Sequence, residues 1–180
     1  MTAVLTLEIP DIVWKEQYLA MLAESIATDG DYRFNNVPLA QSDFAAFVQE
    51  LDEEAKGLNL PPDIPPQQTY FLVKDHTTVI GEVRFRPHVK PPYEDRNGHI
   101  GYNLRPRYRG QGFGTRALAL VLEEARRCGL PGVQIPIEGD NPASVRIVEK
   151  NGGVLYRQVT NARTGETIAC YWVDLTGVST

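Results

Sequence analysis

A glycine-rich turn between a predicted strand and a predicted helix is where this sequence could do chemistry. It reads His99-Ile100-Gly101-Tyr102-Asn103-Leu104-Arg105-Pro106-Arg107-Tyr108-Arg109-Gly110-Gln111-Gly112-Phe113-Gly114-Thr115. Glycine lets a backbone reach positive φ and approach a ligand closely. A helix start offers N–H groups with no intrahelical partner and the positive end of the helix dipole. Together these make a cradle for a diphosphate. Arg109 and Arg116 stand in place to add charge, and Thr115 a hydroxyl. The same glycines would also serve a plain tight turn. Gly110-x-Gly112-x-Gly114 lacks the Gly-Lys-Ser/Thr ending of a P-loop and the G-x-G-x-x-G spacing of a dinucleotide site, so neither nucleotide reading fits.

Several elements must position that turn. Val4 to Ile9 alternates apolar and polar residues and stops at Pro10, as a strand does. Asp11 can cap a helix running to about Thr28, with Trp14, Tyr18, Met21 and Leu22 on one face. A second helix carries Phe44, Phe47, Val48 and Leu51, with Ser42 as its expected cap, and residues 29–41 read as the loop between the two. Pro61, Pro62, Pro65 and Pro66 make residues 57–68 irregular. Tyr70–Lys74 and Thr78–Phe85 form a hairpin around Asp75-His76-Thr77. After a proline-containing loop come the strand His99–Leu104, the glycine turn, and a helix to about Cys128 with Leu118, Val121, Leu122 and Ala125 on its apolar face. Val133–Ile137 is a strand, Asn141-Pro142 opens a helix that ends at Asn151-Gly152-Gly153, and Val154–Thr160 with Thr167–Leu175 makes a last hairpin. The order β-α-α-β-β-β-α-β-α-β-β predicts an α/β fold: a central mixed, mostly antiparallel sheet with helices on both faces.

Composition narrows the function classes. The chain has 180 residues, 42% of them apolar, which suits one globular domain over residues 1–180. A net charge of −5 argues against nucleic-acid and membrane-surface binding, because phosphate neutralisation needs a basic face. Residues 84–116 nevertheless hold eight Lys/Arg against the acids Glu94 and Asp95 alone, which suggests one anionic ligand. Cys128 and Cys170 support neither a disulfide framework nor a four-thiolate metal site, and both read as core. His76, His88 and His99 share no ligand-like spacing, so no metal is expected. With no basic-start leader and no long apolar run, a cytoplasmic protein is expected.

The turn and a downstream segment together resemble a known family. Arg109-x-x-Gly112-x-Gly114 is similar to the Q/R-x-x-G-x-G/A signature of the GCN5-related N-acetyltransferases, and Leu104-x-Pro106 precedes it as expected. The Asn141–Gly153 segment resembles that family's second cofactor segment. The likeness covers roughly residues 98–160. It implies acetyl-CoA as co-substrate, with the pantetheine paired to Tyr102, Asn103 and Leu104, the pyrophosphate on Arg109, Gly110, Gln111, Gly112, Phe113, Gly114 and Thr115, and Asn141 on the pantetheine arm. It also implies a bulge that splays the strand from its neighbour.

The implied reaction is direct attack of a neutral amine on the thioester. Leu104 N–H is the expected oxyanion donor. Glu82 and His99 are the candidate bases, and each has an ordinary structural use as well. Many members place an acidic tyrosine seven residues after the Asn; Val148 occupies that position here, so a neighbouring tyrosine or water must replace it. Tyr102 is a candidate for lining the acceptor site. The acceptor should lie among the N-terminal helices and the loops at 29–41, 57–68 and 87–97, whose acids (Asp29, Asp31, Asp52, Glu53, Glu54, Asp63, Glu94, Asp95) would attract a cationic amine or simply be solvated. Partners are then acetyl-CoA and an amine-bearing small molecule or peptide. A homodimer through the last hairpin's edge is a further expectation. A non-catalytic acyl-CoA sensor is the alternative function, since the fold alone does not fix activity, and O-acyl transfer is a third.

Overall fold

Runs rich in β-branched and aromatic residues build two antiparallel sheets, and the central strands are buried on both faces. The computed structural model describes residues 3–29, 34–90, 97–161 and 164–177. The first sheet has the order β1(Leu5–Glu8)-β2(Gln68–Lys74)-β3(Thr78–Phe85)-β4(Ile100–Leu104), and the second β5(Gly132–Glu138)-β7(Thr167–Asp174)-β6(Val154–Thr160). The three-residue β2–β3 turn, in which Thr77 N–H donates to Lys74 O at 3.1 Å, places Asp75 and His76 at φ 50° and 57°, a left-handed pair that suits the twist of a hairpin.

Helices cover both faces of the first sheet. On one side α1(Lys15–Asp29) and α3(Phe44–Ala55) press Tyr18, Met21, Leu22, Phe44, Phe47 and Leu51 onto Phe71, Val73 and Val79. On the other, α4(Phe113–Arg127) buries Leu118, Val121, Leu122 and Ala125 against Leu72, Ile80 and Val83, and this core continues to the second sheet through Val133, Ile135 and Tyr171. Truncating such a buried leucine to alanine costs about 2–5 kcal/mol.

Three local expectations change. The segment read as a loop contains α2(Val37–Ser42), because Asn36 Oδ1 accepts from Leu39 N–H and Pro38 sits in the first turn. Asp43, not Ser42, caps α3, accepting from Ala46 N–H at 3.0 Å, while the Ser42 hydroxyl donates back to Pro38 O at 2.8 Å. Cys170 is buried as expected, whereas Cys128, just past the end of α4, is exposed.

The feature that positions the site is the divergence of β4 from β5. Arg86 N–H donates to His99 O and Arg105 N–H to Ile80 O. With the β3–β4 register, those bonds place Glu82/Asn103 and Arg84/Gly101 at bonded positions, and turn the backbone groups of Tyr102 and Leu104 away from β3. On β5, Leu175 N–H to Pro131 O and Gly139 N–H to Thr167 O fix the opposite parity, so Gln134, Pro136 and Glu138 turn their backbone toward β4. The strands meet where His99 N–H donates to Gln134 O at 2.9 Å. The next β5 nitrogen facing β4 is that of Pro136, which carries no hydrogen. The ladder stops there and a cleft opens. The register of β3 with β4 has no shift, so the expected bulge is not found in that pairing, and Pro136 stands where the contact between β4 and β5 ends.

Candidate functional site

Two contiguous grooves occupy the cleft. The first, about 450 Å³, runs from Tyr102, Asn103 and Leu104 to the turn before α4, and α5(Pro142–Lys150) walls its far side. The second, about 370 Å³, lies between β3–β4 and β5 and is lined by Arg84, Arg86, Pro136 and Glu138 among others. Tyr102, Asn103, Asn141 and Ser144 line both, so they mark the junction.

The glycine turn divides by role. Gly110 and Gly112 have φ 73° and 82°, and a Cβ built on either would meet nothing within 4 Å. The backbone is therefore bare toward the groove, as a diphosphate cradle at the start of α4 requires. Gly114 also lines the groove, but a Cβ there would lie 2.5 Å from Ile147 Cδ1, so it lets α5 pack closely on α4. Thr115 lines the groove too. The Gln111 amide instead donates to Arg107 O at 2.7 Å, and the Phe113 ring packs edge-on against Tyr108 in the core. These two side chains are not part of the lining.

The arginines of the basic stretch are largely committed to the fold. Arg109 lines the groove, yet its Nε donates to Leu104 O at 3.0 Å and its terminal nitrogens to Asp29 at 3.0 and 2.5 Å. Arg105 Nε donates to Glu24 Oε2 at 2.8 Å, and Arg107 gives Glu24 both its N–H, at 3.1 Å, and its guanidinium, at 2.6 Å. The Arg107 hydrogen bond, with help from Arg105, pulls the Glu24 pKa down to about 2. The α1 acids thus strap down the turn that follows β4. Arg116 leaves the groove altogether and donates to Ala3 O at 2.6 Å.

Asn141 accepts from Ser144 N–H at 3.0 Å, capping α5 while facing both grooves. Beyond it the α5 face contributes Ala143, Ser144, Arg146, Ile147 and Lys150. The sequence reading missed this face, although 143, 147 and 150 follow helical spacing from the cap. Val148 points the other way and is fully buried in the core. The Tyr102 hydroxyl is buried beside Ser144 without completing a hydrogen bond, and burial raises its pKa.

The two candidate bases lie elsewhere. Glu82 is fully buried under the α1–α3 layer, where it accepts from Tyr18 Oη at 2.7 Å and Asn35 Nδ2 at 3.3 Å, and it lines neither groove. Burial raises its pKa, against the pull of Arg84. His99 Nδ1 accepts from Gln134 N–H at 3.0 Å. A neutral imidazole then carries its proton on Nε2, and the lone pair that a base would use is occupied. Burial, reinforced by the charge of Arg86, holds the His99 pKa below its ordinary value.

Of the acids named for acceptor attraction, the described ones, Asp29, Asp52, Glu53, Glu54 and Asp63, line neither groove. Asp29 pairs with Arg109, Asp52 with Lys56, and Glu53 with Gln49 and Asn59. Asp63 is exposed and Glu54 partly buried. Asp31, Glu94 and Asp95 lie outside the described residues. Among the described residues, no group of acids, histidines and cysteines is placed to hold a metal ion, and no helix is long and apolar enough to cross a membrane.

A cleft that splits two sheets, with a bare glycine turn at one end and an Asn-capped helix along one wall, defines a class of acyl-transfer fold, and comparison with known proteins bears this out. The acetyltransferase (GNAT) domain family matches residues 13–154. The chain belongs to that family, whose acyl donor is acetyl-CoA. The L-methionine sulfoximine/L-methionine sulfone acetyltransferase of Salmonella typhimurium is 32% identical over 75 residues, a stretch that spans 41% of this chain and 41% of that enzyme. Two solved structures share the fold. The microcin C7 self-immunity acetyltransferase MccE, in complex with acetyl-CoA and AMP, superposes with a TM-score of 0.69 at 18% identity, covering 95% of this chain and 92% of that one. YncA from Salmonella typhimurium, with its cofactor acetyl-CoA, gives a TM-score of 0.58 at 16% identity over 98% and 96% of the two chains.

Proposed function

We propose that this protein transfers the acetyl group of acetyl-CoA to the primary amine of an acceptor while both are bound. The observation that carries the reading is the unzipped edge of β4: the backbone groups of Tyr102 and Leu104 face an open groove that ends on the bare turn of Gly110 and Gly112. An extended amide-bearing arm pairs with such an edge as another strand would. The diphosphate sits on the turn at the start of α4, with Arg146 and Lys150 supplying positive charge from the facing wall. Arg109 orders the turn through Leu104 O and Asp29 instead of meeting the phosphate as a loose cation.

The chemistry belongs at the junction of the grooves. Leu104 N–H, turned away from β3, is the donor for the carbonyl oxygen that gains charge during attack. The amine enters from the second groove and its proton passes, directly or through water, to Glu138, a carboxylate within that lining. This reading takes the base role from Glu82 and His99, one sealed off and the other with its acceptor nitrogen engaged. With Val148 in the core, the Tyr102 hydroxyl is the O–H donor for the departing thiolate. Holding both reactants in adjoining grooves supplies much of the rate. The second groove also favours transfer over the sensor reading, because a protein that only binds acyl-CoA has no use for a polar chamber beside the junction.

The test is Gly112→Trp. The new side chain fills the open cradle at a positive φ that only glycine adopts freely. Acetyl-CoA binding by calorimetry and amine-dependent thiol release should both be lost, with the far-ultraviolet circular dichroism unchanged. Undiminished acetyl-CoA affinity would place the donor elsewhere.

A further inference from the structure

β7 separates β6 from β5, yet side chains from β6 and its end reach past β7 to the wall that β5 gives the second groove. Tyr156 Oη donates to Gln134 Oε1 at 2.5 Å, and Asn161, the residue after β6, donates through Nδ2 to Glu138 Oε1. Gln134 and Glu138 stand on either side of Pro136 and line the groove's end of β5 with it, Glu138 directly. Asn161 is fixed from its backbone. Its N–H donates to Glu166 O and its O accepts from Gly165 N–H, both at 2.8 Å, so the turn that joins β6 to β7 clips it in place. Gly165 makes that turn at φ 75°. The Asn161 side chain lies in a residue only 6% exposed. A carboxylate only accepts, so the amide nitrogen is the atom that must face Glu138. Glu138 itself is half-buried at the end of β5.

We propose that Asn161 is a positioning residue for acetyl transfer: it ties back one oxygen of Glu138 and so presents the other to the acceptor's ammonium. The inference rests on the reading of Glu138 as the base and adds the group that aims it. A glutamate has several side-chain torsions, and left free they would spread its carboxylate over many rotamers. Proton transfer needs the accepting oxygen within hydrogen-bond reach of the amine. Anchoring Oε1 removes much of that freedom, while Oε2 takes no hydrogen bond among the described residues. The chemistry of the donor matters as well. A Lys or Arg in its place would cancel the carboxylate's charge and repel an ammonium, whereas an amide fixes the group and carries no charge. In the reaction Glu138 Oε2 takes one proton from the ammonium. The freed lone pair forms the C–N bond as the C–S bond breaks, and the Tyr102 hydroxyl protonates the departing sulfur. Solvent then takes the nitrogen's surplus proton and restores Glu138 and Tyr102 to their starting forms.

The experiment follows thiol release from acetyl-CoA at neutral pH with the common L-amino acids, simple alkylamines, a hexapeptide beginning with serine, and 2,2,2-trifluoroethylamine, which is already a neutral amine there. The fastest ammonium acceptor is then used with Asn161→Asp, which keeps the shape and loses the donor, and with Asn161→Ala. Both should lower kcat about 10–100-fold and leave KM and calorimetric acetyl-CoA affinity within about twofold. With 2,2,2-trifluoroethylamine the loss should all but vanish, because no ammonium proton has to be removed. In a Glu138→Gln background the Asn161 substitutions should cost nothing further, since their effect passes through that carboxylate. Undiminished kcat in the Asn161 variants overturns the inference. So does an equal loss with both acceptors, or a loss that adds in full to that of Glu138→Gln, because each makes Asn161 a contact of the fold alone. Loss of the cooperative unfolding transition in both variants does the same. Slow turnover by Glu138→Gln beside normal Asn161 variants leaves the base reading standing and removes only this inference. Normal turnover by Glu138→Gln removes the base reading, and this one with it, as does a panel in which no amine is acetylated.

Discussion

His99 and Gln134 hold each other through two hydrogen bonds, His99 N–H to Gln134 O at 2.9 Å and Gln134 N–H to His99 Nδ1 at 3.0 Å. The pair is the hinge point from which β4 and β5 diverge. Gly98 makes the approach possible, since a Cβ there would lie 2.5 Å from Gln134 O and 2.2 Å from Pro136 Cδ. Both grooves depend on the strands separating just beyond this contact.

Pro136→Ala tests that dependence. The substitution restores an N–H on the side of β5 that faces β4 and removes the ring that crowds Gly98. One more rung of the ladder should form and the cleft should narrow from its closed end. Acetyl-CoA affinity should fall about tenfold, equivalent to roughly 1.4 kcal/mol. Slower amide exchange at residues 100–102 would report the new pairing. Unchanged affinity with unchanged exchange would show that the proline does not hold the cleft open.

The strap between α1 and the turn predicts a pH dependence. Glu24 has its pKa lowered from 4.5 to about 2, first by the Arg107 side-chain hydrogen bond. A carboxyl that is more acidic when folded stabilises the fold fully above its unfolded pKa, and the stabilisation is lost as pH falls from about 4.5 toward 2. Glu24→Gln should therefore lower stability by about 1–2 kcal/mol at pH 7 and flatten the acid limb between pH 5 and 3. Urea unfolding midpoints of both proteins at pH 7, 5 and 3 measure this. Parallel losses in the two would remove Glu24 from the strap.

Much of this arrangement could be read along the chain, and what could not has a physical reason. Strands, helices and the glycine turn follow local periodicity and caps, so their places were legible from Tyr70–Lys74 to Asn141–Gly153. The roles of individual arginines were not. Arg109 and Arg116 look alike in sequence, but Asp29 and Ala3, about 80 and 113 residues away, decide where each points. The same holds for Glu82, whose place on β3 could be read but whose Tyr18 lid comes from 64 residues upstream. Pro136 lies in plain view inside an apolar strand. Its meaning depends on which side of β5 its nitrogen faces, and only pairing with β7 sets that.

Tyr102→Phe separates a catalytic hydroxyl from a packing ring. The hydroxyl completes no hydrogen bond, so its removal should leave the unfolding midpoint within the small shifts typical of neutral substitutions, about 0.5 kcal/mol. Burial raises the pKa of the group, which keeps it protonated and able to donate at neutral pH. If it protonates the departing thiolate, kcat should drop about 10²-fold with acetyl-CoA affinity unchanged. An acyl donor with a more acidic thiol, such as a thiophenyl ester, should recover much of the loss. A variant with normal kcat would leave the thiolate to depart unassisted.

His99→Phe distinguishes a stitch from a base. Removing Nδ1 strands the Gln134 N–H at a partly buried seam, which should cost about 1–3 kcal/mol at pH 8. Because burial holds the folded-state pKa of His99 below its ordinary 6.5, the unfolded chain takes up the proton more readily. Its stabilising contribution is thus present above pH 6.5 and declines as pH falls below it. Wild-type protein should lose stability between pH 7 and 5, and the variant should lack that part of the slope. The pH profile of kcat, measured at a temperature where both proteins are folded, should keep its acid limb in the variant, since the nitrogen that would accept the proton is already occupied. Disappearance of that limb on substitution would return the base role to His99 and require the Gln134 bond to break during turnover.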